Sequence, residues 1–246
     1  MKNNFFYQKP LANIYAKPSI KSKITSQILY GEKFKILNKK KNWLKIKTSY
    51  DNYYGFLKYE RSISEFKPSH KVCNLKTRIY KKIKNKFLPT NNFLYFATKI
   101  PIINLDKKFI EFEKGKWVKK VDLKSIDYYE KSFSKIFKLF LNKKYLWGGK
   151  TCDGIDCSAL VQIFFFYNNI KFPRDTKDQI KFVKKNKKYE LYKKDNLLYW
   201  KGHVAIRLNK YLLIHAYGPK KKVVIMKINK TIREIKKNTN LDLKSI

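Results

Sequence analysis

The hydrophobic period of this 246-residue chain changes near residue 125, and that change restricts the folds open to it. Upstream, short runs alternate apolar and polar residues: Gln27 to Leu29, Lys33 to Leu37, Trp43 to Lys47 and Tyr53 to Leu57. Turn residues such as Gly31 and Gly55 punctuate them, as expected of strands with one buried face. A second set follows at Thr77 to Tyr80, Asn92 to Lys99, Phe109 to Phe112 and Trp117 to Val121. Each set has a late segment of Trp followed by alternating residues, so the stretch reads as two copies of a small β-barrel, 1–64 and 65–124.

Downstream, residues 125–246 read as an α+β domain. Tyr129, Phe133, Ile136, Phe137 and Phe140 recur at helical spacing, with Asp127 and Glu130 set as a capping box ahead of them. A second helix, from Cys157 to Asn168, is apolar on most faces and is expected to be buried. Thr176 and Gln179 propose a third helix start. Everything from Leu197 onward reads as strands: 197–200, 203–208, 211–216 and 223–227.

Composition narrows the function classes. Apolar residues make up 43% of the chain, which excludes a disordered protein. The formal charge of +40 would suit nucleic acid or another polyanion. Almost all of it is lysine, however. The five arginines are Arg61, Arg78, Arg174, Arg207 and Arg233. A phosphate-reading surface leans on the planar arginine fork, so the excess reads as codon bias, and no nucleic-acid partner is expected. The field still favours acidic small ligands. Cys73, Cys152 and Cys157 give no disulfide framework. No apolar run has the length of a secretion signal or a membrane span, so a soluble, cytoplasmic monomer is expected.

The chemistry gathers around Cys157, in Gly154-Ile155-Asp156-Cys157-Ser158 at the start of the buried helix. A helix N-terminus offers free N–H groups and partial positive charge, which favour a thiolate and could hold an oxyanion. His203 and His215 fall in adjacent strands of one hairpin. In an antiparallel pair they share a face when His203 stands opposite His215, which pairs Arg207 with Tyr211 across a three-residue loop. One imidazole could then serve as base and the other orient it. A zinc site from Cys152, Cys157, His203 and His215 is the competing use, against which the Cys spacing speaks.

These residues resemble the signature of the NlpC/P60 cysteine peptidases. The matching runs are Tyr145-Leu146-Trp147-Gly148-Gly149, Gly154 to Gln162, Pro173-Arg174-Asp175-Thr176, Trp200 to Ile206, and Leu213-Ile214-His215-Ala216. The upstream repeats resemble the bacterial SH3-like domains found before such catalytic domains. The resemblance implies a papain-like core needing no metal or cofactor. It also implies hydrolysis of the γ-D-glutamyl–diamino acid bond in peptidoglycan peptides with a free N-terminal L-Ala, as in murein recycling. On it, Cys157 is the nucleophile, His203 the base and His215 the orienting residue. Asp156 and Ser158 hold the substrate amine and peptide, while Tyr145, Trp147, Arg174 and Thr176 line the pocket. Asp156 could equally be the cap of its helix, and the two roles can coexist. Two positions depart from the pattern: Ala159 replaces a usual Gly, and Asp195-Asn196 a usual Gly-Asp. An amidase or acyltransferase on the same core, or a non-catalytic wall-binding protein, are the rival readings.

Overall fold

The structure, a computed structural model, describes residues 4–59, 62–186 and 196–244. The chain divides into two compact units, 1–129 and 130–246.

The first unit is built of strands. Residues 4–63 form a seven-stranded antiparallel sheet, in the spatial order 24–29, 11–15, 54–58, 43–48, 33–40, 4–7 and 62–63. Alternation does the work the sequence indicates: in Trp43–Thr48, Leu44, Ile46 and Thr48 are buried while Lys45 is exposed. Tyr7, Ile14, Ile28, Phe34, Leu44, Ile46 and Leu57 close the core. Residues 70–125 follow with a five-stranded and a three-stranded sheet around Val72, Ile79, Leu94, Ile100, Ile110, Phe112, Val118 and Leu123. The two β modules form one unit because Tyr30 of the first enters the core of the second, edge-on to Phe112 at 5.3 Å. Gly31 beside it has φ +74°, and a Cβ there would stand 2.5 Å from the Lys99 carbonyl oxygen. Only glycine allows that approach.

Among its described residues the second unit places four helices, Phe133–Leu139 (α1), Cys157–Tyr167 (α2), Thr176–Lys185 (α3) and Ile228–Thr239 (α4), around an antiparallel sheet. Its strands run in the order 197–200, 203–207, 212–217 and 222–227. Every residue of α2 is buried, which its apolar sequence requires. Trp200, Ala205, Leu213, Tyr217, Ile228 and Ile235 belong to one core cluster, so α4 covers the sheet.

Several local expectations are corrected. Asp127 and Glu130 do not cap α1, which opens at Phe133 behind Ser132. Glu130 instead accepts the Ser132 N–H (3.1 Å) and pairs with Lys135 (2.8 Å). Thr176 is not a cap but the first residue of α3, behind Asp175. Its supposed box partner Gln179 points inward, donating Nε2 to the carbonyls of Ser158 (3.0 Å) and Pro173 (2.9 Å). The end of the chain is not all strand, since α4 follows residue 227. Its apolar positions Ile228, Ile232 and Ile235 carry helical spacing that the strand reading overlooked. Asp195 lies outside the described residues.

Candidate active site

Asp156 starts the construction. It is the N-cap of α2, accepting the Ala159 N–H at 2.8 Å on Oδ1 and the Gly148 N–H at 2.9 Å on Oδ2. Arg174 grips the same carboxylate with Nη1 to Oδ1 at 2.9 Å and Nη2 to Oδ2 at 2.6 Å, and reaches Ser158 Oγ at 2.8 Å. Ser158 also donates to Asp156 Oδ1 at 3.2 Å. Arg174 is only 2% exposed and Asp156 6%. A carboxylate offers about four lone-pair sites, and these donors occupy them. Asp156 therefore organises the helix N-terminus.

Cys157 follows as the first residue of α2 and is buried. Its Sγ accepts the backbone N–H groups of Val204 and Ser158, and it faces the Gly202 carbonyl oxygen at 4.0 Å. The reason it can reach strand 203–207 lies in the sheet. Among the described residues, the ladder between strands 203–207 and 212–217 holds Ile206 opposite Ile214 and Arg207 opposite Leu213, and stops there. Val204 lies beyond that pairing, and its N–H donates to the thiol.

The register differs from the expected one by two residues, since Arg207 faces Leu213 and not Tyr211. A shift of two preserves side-chain parity. His203 and His215 therefore still share a face, diagonally, with His203 Nε2 2.9 Å from His215 Nδ1. Tyr217 stacks on His215 at 4.5 Å and 13°. His215 Nε2 lies 3.3 Å from Met226 Sδ.

The electrostatics run against a preformed thiolate. Burial, then the charge of Asp156, pushes the Cys157 thiol up to about 12, against the smaller pull of the Val204 N–H, Arg174 and the Ser158 N–H. Burial holds His203 down to about 4, and His215, beside it, lower still. The helix N-terminus favours the thiolate, but desolvation is the larger effect here. The resting pair is a thiol and a neutral imidazole.

Of the remaining candidates, Tyr145 is half-buried with its hydroxyl held in the neutral form by burial and by its nearness to Cys157 and Asp156. Trp147 is 53% exposed. Thr176 is buried at the start of α3. Among the described residues no three His, Cys, Asp or Glu side chains gather to hold a metal, so the zinc reading of Cys152, Cys157, His203 and His215 has no ligand set. Sequence reasoning missed Val204, whose contribution is main-chain, and Met226, which carries no chemical signature of its own.

Known proteins resemble the chain in both parts. The model of the NlpC/P60 family matches residues 142–239, and that of the bacterial SH3 domain residues 10–61. The chain is 25% identical over 235 residues to a dipeptidyl-peptidase 6 of Lysinibacillus sphaericus, covering 84% of each chain. It is 24% identical to a gamma-D-glutamyl-L-lysine dipeptidyl-peptidase of Bacillus subtilis (strain 168), over 86% of this chain and 78% of the other. An NlpC/P60 family protein from Bacillus cereus ATCC 10987 shares the fold, with a TM-score of 0.75 at 19% identity over 92% of this chain and 94% of that one. The chain thus carries an NlpC/P60 peptidase domain, a hydrolase fold, preceded by a bacterial SH3 domain.

Proposed function

We propose that the protein is a cysteine endopeptidase that cleaves the γ-D-glutamyl–diamino acid amide of peptidoglycan-derived peptides carrying a free N-terminal L-Ala. The observation that carries the reading is the ordered set of Cys157 at a helix N-terminus and His203 hydrogen-bonded to His215 at 2.9 Å. The relative named for γ-D-glutamyl-L-lysine cleavage supports the choice of bond. The net charge of +40 supports a substrate with several carboxylates.

The steps follow from the resting pair. His203 spends Nε2 on His215, so Nδ1 takes the Cys157 proton as Sγ attacks the γ-carbonyl of D-Glu. Sγ–C forms, the carbonyl becomes an oxyanion, and the N–H of Cys157 at the helix terminus stabilises it, a donor type worth about 3 kcal/mol. The imidazolium returns the proton to the departing amine as C–N breaks. Water then gives its proton to His203 and its oxygen to the acyl carbon, which releases the acid and restores the thiol. Because transfer accompanies attack, a stable thiolate is not needed.

The test is mass spectrometry of L-Ala-γ-D-Glu-diaminopimelate after incubation with wild type and Cys157→Ala, beside the same peptide blocked at its amine. L-Ala-D-Glu from the free peptide, with wild type only, is the expected result. Cleavage of both peptides retains the peptidase and removes the amine requirement. Intact substrate throughout overturns the assignment in favour of an amidase or a binding protein. Intact sacculi offered in parallel report whether free peptides, and not the polymer, are the substrate.

A further inference from the structure

The proposed mechanism, on which this inference rests, needs His203 Nδ1 to carry a lone pair. Something must choose that tautomer, because a neutral imidazole protonates either nitrogen. The choice runs outward through His215. Among the described residues, the His215 ring nitrogens meet two partners, His203 on Nδ1 and the thioether sulfur of Met226 on Nε2. A thioether has no hydrogen to give and can only accept. Nε2 of His215 must therefore be the protonated nitrogen for the 3.3 Å contact to be a hydrogen bond. Its Nδ1 is then a lone pair, and the 2.9 Å contact makes His203 Nε2 the donor. His203 Nδ1 is left bare, as a base must be. The opposite tautomer would set the Nε2 lone pair against the sulfur lone pairs and propagate a proton onto His203 Nδ1.

We propose that Met226 is a positioning residue that fixes the proton order of the His215–His203 pair and thereby keeps His203 in its basic tautomer. The sheet places it for this. Leu213 pairs with Met226 and His215 with Val224, so Met226 is a diagonal neighbour on the same face as His215. His215 is fully buried and stacked under Tyr217, which keeps water from serving as a substitute acceptor. Met226 itself packs against the apolar cluster of Leu198, Trp200, Ala205 and Leu213, so its position is set by core contacts and not by the histidine. A weak sulfur acceptor suffices, because it must only outweigh having none.

The test uses the full chain labelled with 15N-histidine, where three histidines make assignment simple. Wild type should show a pyrrole-type Nε2 and a pyridine-type Nδ1 for both His203 and His215. Met226→Leu keeps volume and removes the acceptor. It should mix the His215 tautomers and lower kcat about fivefold at unchanged KM, as expected for one modest hydrogen bond. Met226→Gln restores an acceptor oxygen and should recover both the spectrum and most of the rate. A protonated His215 Nδ1 in wild type overturns the proposal without any variant. So does a Leu variant whose tautomers and rate match wild type. A wild-type protein with the expected tautomers but no peptide cleavage would instead sink the peptidase reading and leave the proton order standing.

Discussion

Arg174 holds Asp156 by two parallel hydrogen bonds of 2.9 and 2.6 Å, and the carboxylate so held caps the helix that begins with Cys157. The position of the Cys157 thiol thus depends on an ion pair that solvent barely reaches.

Breaking that pair from one side leaves a buried charge uncompensated. Arg174→Met is expected to lower unfolding free energy by about 3–5 kcal/mol. Arg174→Lys keeps the charge but not the fork, and should fall between it and wild type. The double variant Asp156→Asn/Arg174→Gln removes both charges and should regain part of the loss. Urea denaturation of the four proteins checks this. Equal midpoints would show the pair to be dispensable.

The raised thiol has a kinetic signature. With Cys157 pushed up to about 12, a resting protein at neutral pH offers little thiolate there. Half-buried Cys73 and Cys152 should react with iodoacetamide before Cys157 does, read by peptide mapping. Preferential alkylation of Cys157 at pH 6 would point to a preformed thiolate–imidazolium pair and contradict the neutral one.

The histidines give stability a pH dependence of definite sign. Unfolded, each takes a proton near its ordinary 6.5; folded, His203 resists until about 4 and His215 resists further. The unfolded state thus binds more protons between these limits. Their contribution is complete above pH 6.5 and is lost as pH falls, by about 1.4 kcal/mol per pH unit for each histidine. Urea midpoints from pH 7 to 4.5 should drop accordingly, and His215→Gln should flatten the profile by one proton's slope. An unchanged profile in that variant would show that His215 titrates normally.

A side chain fits at neither of two glycines beside the site. A Cβ at Gly149 would stand 2.3 Å from the Gly154 carbonyl oxygen, and a Cβ at Gly154 would stand 2.4 Å from Leu146 Cβ. Neither atom moves by side-chain rotation, so Gly149→Ala and Gly154→Ala should both lower the melting temperature. Thermal melting checks this, and wild-type melting in either variant would show that the main chain there yields.

Much of this was legible in the residues. Period-two runs and the apolar helix gave the strands 197–200 and 203–207 and the helix from Cys157 almost to the residue, because burial on one face or all faces leaves a direct mark on sequence. Parity placed the histidines together although the register was off by two, since two registers of equal parity bury the same face. The cap of α1 was misread because Asp127 and Glu130 have the spacing of a capping box, whereas the N-cap Ser132 has Lys135 three residues on and makes no side-chain cap. The direction of the thiol's shift was misread too. A helix terminus is visible in a sequence, but the solvent excluded around Sγ is a property of packing. The pairing of Arg174 with Asp156 was not foreseen, because pairing between distant segments carries no local signal.

The bond from Val204 to the thiol has one more consequence. Sγ of Cys157 is held by an amide of the chain's own backbone at Val204. Every residue but proline supplies that amide. The coordinate of the Cys157 thiol is thus encoded in the path of the main chain, which drift in side-chain identity, however lysine-rich it leaves the surface, does not overwrite.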